Sequence, residues 1–170
     1  NQTGAENTAI GQDALHANLA SYNTAVGRTA LDANTTGTHH TAVGHNALGA
    51  NTTNNSNTAV GANAFAVYTG DAGLALGKSC LESCTTASGI TGVGVDCLAA
   101  LTTGNYNTAV GRDTLKTVTT SADNTALGYQ ALLLNTAANN TAVGSLTLDA
   151  NTTGANNTAL GKSALGANTT

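Results

Sequence analysis

Proline, methionine and tryptophan are absent from this chain, and charged and aromatic residues are scarce. Charged residues make up 8% and aromatic residues 3% of the 170 residues, whereas roughly 25% of an average soluble protein is charged. With so few bulky side chains, we expect a thin, repeated core instead of one thick core. Five basic residues and a net charge of -4 provide no footprint for nucleic acid or an anionic membrane. The longest apolar runs, such as 131–134, are too short for membrane insertion.

What dominates the sequence is a repeat of Asn-Thr-Ala-Val-Gly. Its glycine recurs every 16 or 17 residues, at Gly11, Gly27, Gly44, Gly61, Gly77, Gly94, Gly111, Gly128, Gly144 and Gly161. This period is too short for helical-hairpin repeats, which need about 34 residues, and the glycines and threonines interrupt any helical pattern. The sequence therefore predicts an all-β protein: a parallel β-solenoid, or β-roll, of about ten 16–17-residue coils in a single array over residues 1–170.

Columns of equivalent residues appear when the coils are aligned by their glycines. The residue before each glycine is aliphatic, and the fourth residue after it is leucine except at Phe65. We expect both columns to be buried, which directs the alanine between threonine and valine outward, because alternate strand residues face opposite sides. An outward column that never admits a large residue predicts lateral contact in a homo-oligomer. The candidate contacts are Ala42, Ala59, Ala109, Ala126 and Ala142.

The Asn-Thr-Ala-Val-Gly-x-x-Ala-Leu units resemble the head repeats of YadA-like trimeric autotransporter adhesins. They are also similar to repeat regions of phage tail fibres and other surface fibres, and the resemblance covers almost the whole chain. It implies a left-handed parallel β-roll in which three chains associate side by side into a trimer. The present period is longer than that of the adhesin repeats, because each coil carries an additional Asn-Thr-Thr-Gly segment.

Cys80 and Cys97 occupy the same column in successive coils. Stacking of the coils would bring the two residues within disulfide range. Cys84 lies four residues after Cys80. An oxidising exterior would allow a bridge between Cys80 and Cys97. The alternative is that both are small buried thiols in an alanine column.

Four Asn-x-Ser/Thr triplets fall in one column of the coil and are candidate glycosylation sites. They begin at Asn34, Asn51, Asn151 and Asn168. Glycans at these positions would coat one edge of the rod. The alternative is that the asparagines stack amide on amide in a ladder at the turn, as repeated asparagines do in in-register sheets.

Residues that could support chemistry are few and do not recur. His39, His40 and His45 cluster in one link, but no repeated carboxylate or cysteine accompanies them, so exposed turn residues are favoured over a metal site. Asp71 lacks the Gly-Gly-x-Gly-x-Asp pattern of calcium-binding rolls. We find no nucleophile–base arrangement and no phosphate loop, and predict neither an enzyme nor a cofactor.

The sequence favours a structural segment of an extracellular fibre, filament or adhesin, on a cell surface or virion, that associates with itself. A host-surface glycan or protein is a candidate partner, although a glycan-binding module would lack an aromatic platform. The alternative function is an ice-binding solenoid that orders water on stacked threonine rows. The rows in question are Thr35-Thr36, Thr52-Thr53, Thr102-Thr103, Thr119-Thr120 and Thr152-Thr153.

Overall fold

The structure of the protein, a computed structural model, describes residues 4–170 and confirms the predicted β-solenoid. Within that range the chain forms ten three-residue strands in one parallel sheet and no helix. The strands are β1 (Thr8–Ile10), β2 (Thr24–Val26), β3 (Thr41–Val43), β4 (Thr58–Val60), β5 (Leu74–Leu76), β6 (Thr91–Val93), β7 (Thr108–Val110), β8 (Thr125–Leu127), β9 (Thr141–Val143) and β10 (Thr158–Leu160).

Each strand pairs with the next one along the chain, so one repeat makes one coil. The register keeps equivalent residues together: Thr108 pairs with Thr125, Ala109 with Ala126 and Val110 with Leu127. Ten strands at about 4.8 Å spacing give a sheet about 43 Å long.

Stacking continues beyond the strands through the turn that follows each glycine. The leucine of this turn has a positive φ, as at Leu31 (51°), and its N–H donates to the next coil, here to the Ala47 carbonyl at 3.1 Å. The glycine itself also has a positive φ, 138° at Gly111, where an added Cβ would collide with the carbonyl oxygen of Gly128. The repeated glycine therefore allows both the turn and the close approach of the next coil.

Leucines and alanines fill the core of the coil, and the orientation expected of the strands is wrong. The leucine column is buried as predicted, but the strand alanines face inward with it, whereas the valines face outward. The limited space inside the coil explains why the alanines face inward and the valines face outward. At Gly92, which replaces a strand alanine, an added Cβ would lie 2.7 Å from the Cys80 Sγ and 2.9 Å from the Leu81 Cδ1. Only a small side chain fits opposite the leucine.

Buried asparagines hydrogen-bond the backbone along the rod and confirm the predicted ladder. In the column before the strands, each Oδ1 accepts from the backbone N–H of the equivalent residue one coil later, as Asn107 does from Asn124 at 3.0 Å. In the turn column, amides bond directly to one another except at Asn51, whose amide has no hydrogen-bond partner within residues 4–170. Asn34 Nδ2 donates to Asn18 Oδ1 at 2.6 Å, and Asn151 Nδ2 donates to Asn135 Oδ1 at 2.8 Å.

An apolar stretch interrupts both ladders near the middle of the rod. Phe65 replaces the usual leucine, and its ring stacks on Tyr68 with centroids 4.0 Å apart. Gly73 replaces a ladder asparagine, and a Cβ there would lie 2.7 Å from the Phe65 ring. The Tyr68 hydroxyl donates to the Ala87 carbonyl at 2.7 Å, and burial raises the pKa of this phenol. The large ring pair is thus accommodated by the loss of a neighbouring side chain.

Candidate functional surface

The outward side of the ten strands, here called the sheet face, consists of two parallel columns. The sheet threonines are Thr8, Thr24, Thr41, Thr58, Thr91, Thr108, Thr125, Thr141 and Thr158, with Leu74 in the remaining coil. The sheet aliphatics are Ile10, Val26, Val43, Val60, Leu76, Val93, Val110, Leu127, Val143 and Leu160. Because strand residues alternate, the inward position of the alanines places both columns outside.

This face carries no charged side chain in either column and is partly open to solvent. Val60 is 38% exposed and Leu127 is 47% exposed, although both belong to a column that contains only valine, isoleucine and leucine. The hydroxyls of the sheet threonines make no hydrogen bond within residues 4–170. A strand position facing only water would also accept lysine or glutamate, so the restricted composition makes this face the candidate functional surface.

A second threonine column, on the turn, has a different role. These turn threonines are Thr35, Thr52, Thr69, Thr85, Thr102, Thr119, Thr136, Thr152 and Thr169. Several of their hydroxyls donate to the backbone carbonyl of the next coil, as Thr102 does to Thr119 at 3.0 Å and Thr152 to Thr169 at 3.0 Å. These hydrogen bonds between coils therefore account for the repeated threonine in the turn.

The predicted lateral contact through the alanine column is wrong. The proposed contacts are inside the coil, with exposures of 0–1%, at Ala42, Ala59, Ala109, Ala126 and Ala142. Their small size reflects limited interior space, and a neighbouring molecule cannot touch them without opening the coil. The surface available for lateral contact is the sheet face on the opposite side of the same strands. The signal in the sequence was a threonine in nine of ten coils beside an uncharged aliphatic column.

The three cysteines are fully buried, free thiols. Cys80 and Cys97 are neighbours, as predicted, but the predicted disulfide is not formed. The Cys97 thiol donates to the Ala109 carbonyl at 3.4 Å. Contact with Cys97, followed by burial, raises the pKa of Cys80, and burial raises the pKa of Cys84 to about 12. The interior thus keeps Cys80 and Cys84 as unreactive thiols.

Most of the candidate glycosylation asparagines are inside the coil. Asn34, Asn51 and Asn151 have no exposed surface, so the structure contradicts glycosylation of the folded protein at these three positions. Asn168 is half-buried and its Nδ2 donates to Asn151 Oδ1 at 3.2 Å. Hydrogen bonds within the ladder account for Asn34, Asn151 and Asn168 without a glycan, whereas the buried amide of Asn51 has no hydrogen-bond partner within residues 4–170.

The three neighbouring histidines do not converge on a common point. Within residues 4–170, no group of three histidine, cysteine or acidic side chains could hold a metal ion. His39 stacks on Tyr22 with ring centroids 5.1 Å apart, and His45 Nε2 lies 3.3 Å from an Arg28 nitrogen. His40, expected to be exposed, is instead buried in the asparagine ladder. The Asp71 carboxylate accepts from the Asn55 N–H at 2.6 Å, which gives it a structural role.

An open groove on another side of the rod is lined by Glu82, Ser83, Ala99, Ala100, Lys116 and Thr117. Lys116 Nζ lies 2.7 Å from an Asp113 oxygen and 3.7 Å from an Asp96 oxygen. The hydrogen bond between Lys116 and Asp113 lowers the pKa of the carboxyl group and raises that of the amine. Because these charges already satisfy one another, the groove offers no free charged group of this cluster to a ligand.

Comparison of the chain with protein-family models, with curated proteins and with solved structures gives no match. Among the described residues, no helix is both long enough and apolar enough to cross a bilayer. The functional assignment therefore depends on the geometry of the sheet face.

Proposed function

We propose that this chain is a structural segment of an extracellular fibre, filament or adhesin, on a cell surface or virion. Its copies associate side by side through the sheet face. The observation that supports this proposal is the combination of partial exposure and restricted composition along the ten strands. The proposed role is mechanical and adhesive and requires neither a catalytic residue nor a cofactor. A host-surface glycan or protein is the external partner that such a fibre would contact.

The extent of the sheet face supports association with another protein surface. The two outward columns are about 7 Å apart along the strand and run for about 43 Å. Together they present a strip on the order of 300 Å², in which an aliphatic column runs beside a threonine column. Burial of this patch against another copy would remove the exposed aliphatic side chains from water.

The architecture supports a mechanical role. Each coil contacts its neighbours along the rod, and the paired columns continue through all ten coils without an insertion. Such arrays make extended rods whose stability is roughly the sum of coil and interface terms. A fibre can therefore be lengthened by whole coils without redesign of the core.

Sedimentation of the wild type at micromolar concentration tests this proposal, with Val110→Asp and Val143→Asp as sheet-face variants. We expect the wild type to be an oligomer and both variants to be folded monomers, because the charge would be buried without a partner in the interface. Thr103→Asp, at an exposed turn position outside the strands, is the matched control and should associate like the wild type. A wild type that remains monomeric would contradict the proposal.

Ice binding is the second candidate, and the sheet threonines favour it. Their hydroxyls are not used within the described chain, and they repeat at the coil spacing beside a column of methyl groups. The turn threonines are less suited, since hydroxyls in that column donate to the backbone. Thermal hysteresis of the wild type, and its loss in Thr108→Lys, would favour this function. Absence of hysteresis together with oligomer formation would reject it.

A further inference from the structure

Three side chains in neighbouring coils carry buried polar atoms that form no hydrogen bond within residues 4–170. The atoms are Asn34 Oδ1, His40 Nε2, and both Nδ2 and Oδ1 of Asn51. All three residues are at most 1% exposed. In the same range, the one further buried side-chain atom of this kind is Asn157 Nδ2, which lies near the other end of the rod. The unsatisfied atoms are therefore concentrated at one place in the array.

The intact parts of the ladder show what a turn asparagine requires. Asn135 Oδ1 accepts from Asn140 Nδ2 at 3.2 Å, in the column before the strands, and from Asn151 Nδ2 at 2.8 Å, in the next coil. Asn18 Oδ1 receives the same pair of bonds. The oxygen of a turn asparagine is thus satisfied by two N–H donors.

Two substitutions remove donors where the unsatisfied atoms lie. His40 occupies a position at which asparagine would present two N–H groups, but its Nδ1 accepts from the Asn57 backbone N–H at 3.2 Å, so the ring offers only Nε2–H. Tyr68 replaces the turn asparagine one coil after Asn51, and its hydroxyl donates to a backbone carbonyl instead. The ladder therefore lacks one donor at Asn34 Oδ1 and one at Asn51 Oδ1.

The glycine at position 37 keeps the space between these groups open. A Cβ added to Gly37 would lie 2.5 Å from Asn34 Oδ1 and 2.6 Å from His40 Nε2, and would collide with the Asn54 carbonyl oxygen. The Asn34 and His40 atoms are therefore no more than about 5 Å apart. One small molecule can bridge that separation with two hydrogen bonds of about 2.8 Å each.

The chemistry of the four atoms defines the molecule that fits between them. His40 Nε2 carries the ring proton and is a donor, as is Asn51 Nδ2. Asn34 Oδ1 and Asn51 Oδ1 are acceptors. An occupant must therefore accept two hydrogen bonds and donate two, which is the capacity of one water molecule. A metal ion does not fit, because a protonated Nε2 cannot be a ligand, and an ammonium ion cannot accept.

We propose that Asn34, His40 and Asn51 bind one structural water molecule inside the coil. The water accepts from His40 Nε2 and Asn51 Nδ2, and donates to Asn34 Oδ1 and Asn51 Oδ1. It thereby supplies the two donors that the ladder lacks and continues the hydrogen-bonded column between the two coils. Holding one water costs less free energy than leaving four buried polar atoms unpaired.

Nuclear Overhauser spectroscopy between water and side-chain amides tests the site directly in the wild type. We expect a cross-peak at the Asn51 amide protons, with the sign of a water molecule that stays bound for longer than about 1 ns. The internal reference is Asn140, whose Nδ2 donates to Asn135 Oδ1 and the Gly154 carbonyl and should give no such peak. A wild type without a long-lived water contact at Asn51 would overturn the inference.

His40→Asn tests whether the missing donors create the site. The asparagine supplies a second N–H group, so the Asn34 and Asn51 amides can bond directly as in the intact ladder. Oxygen-17 relaxation dispersion, which counts long-lived internal water molecules, should therefore fall by one water per chain. His16→Asn makes the same change at an exposed turn position and is the matched control, with an unchanged count expected.

Circular dichroism confirms that both variants remain folded. If His40→Asn retains the full count of long-lived water molecules, the inference is wrong. If that variant does not fold, the cross-peak at Asn51 in the wild type still decides the question. Because the site lies inside one chain, these outcomes are independent of the sedimentation experiment that tests the proposed function.

Discussion

Ala109 and Val110 are adjacent in the chain, yet substitution of either should affect a different property of the protein. Ala109 is buried against the interior leucines, whereas Val110 is half-buried on the sheet face. The tight space inside the coil, and not hydrophobicity alone, decides which residue faces inward. Packing at Ala109 and surface contact at Val110 can therefore be separated experimentally.

We expect Ala109→Leu to lower the free energy of unfolding by about 1–3 kcal/mol, because a larger side chain overpacks the coil. Val110→Thr keeps a β-branched side chain on the surface and should change the free energy of unfolding by less than about 0.5 kcal/mol. Denaturant unfolding at matched protein concentration measures both. Equal losses would show that the two faces have been assigned incorrectly.

His40 replaces a ladder asparagine and accepts the same backbone hydrogen bond, but its imidazole ring can be protonated. Its Nδ1 accepts from the Asn57 backbone N–H at 3.2 Å, which requires a neutral ring with the proton on Nε2. Burial lowers the pKa of His40 below 6.5; its neighbour His39 acts in the same direction and Asp71 in the opposite one. Protonation would replace the acceptor with a donor that faces the same N–H group.

The stability of the wild type should therefore fall as the pH drops below 6.5 towards the lowered pKa of His40. The unfolded chain binds a proton in this window and the folded chain does not, so acid favours unfolding. Above 6.5 this contribution should be constant. Thermal unfolding across the range measures it, and His40→Asn, which restores the ladder residue, is the control. If His40→Asn retains the same pH dependence, another group is responsible.

Within the coil, the turn at the repeated glycine joins the strand to the leucine. Gly111 has a φ of 138°, and an added Cβ would collide with the next coil. Gly161 has a φ of 117°, but no described atom lies within 4 Å of its added Cβ. Both positions therefore require a positive φ, but only at Gly111 would an added Cβ collide with the next coil.

Gly161→Ala should cost about 1–3 kcal/mol from backbone strain alone. Gly111→Ala should cost about 1–3 kcal/mol more, because the coils must also move apart. Chemical denaturation of the two variants, compared with the wild type, separates the contributions. Similar losses at both sites would mean that coil spacing does not depend on the absent side chain.

Across the whole molecule, the array should tolerate removal of one complete repeat. Thr108 is paired with Thr125, so deletion of residues 108–124 joins Asn107 to Thr125 and preserves every column. We expect a cooperatively folded β-protein that has lost about 1–3 kcal/mol of stability, in proportion to its length. Circular dichroism and thermal unfolding provide the measurement.

Deletion of residues 108–115 is the control, because it removes about half a coil and breaks the register of the columns. This variant should lose cooperative unfolding, since a shifted strand cannot keep its alanines inside. If both deletions unfold alike, stability would not depend on the repeat as a unit.

Several features of the fold could be predicted from the sequence because they depend on local repetition. The regular glycines, the constant leucines and the short period together specified parallel coils in register. The ladder of Asn34 and Asn151 was predictable in the same way, since identical polar residues one coil apart lie at hydrogen-bonding distance. Each of these properties depends only on spacing along the chain.

Tertiary structure decided which side of each strand became the interior. Alternation fixes that Ala109 and Val110 face opposite ways, but not which of them faces inward. That depends on the space left by Leu115 and its equivalents from the other side of the coil. The same closure buried Asn34, Asn51, Cys80 and Cys97, and left the threonines and valines outside. Sequence periodicity therefore determined the columns, and the volume enclosed by the coil determined their orientation.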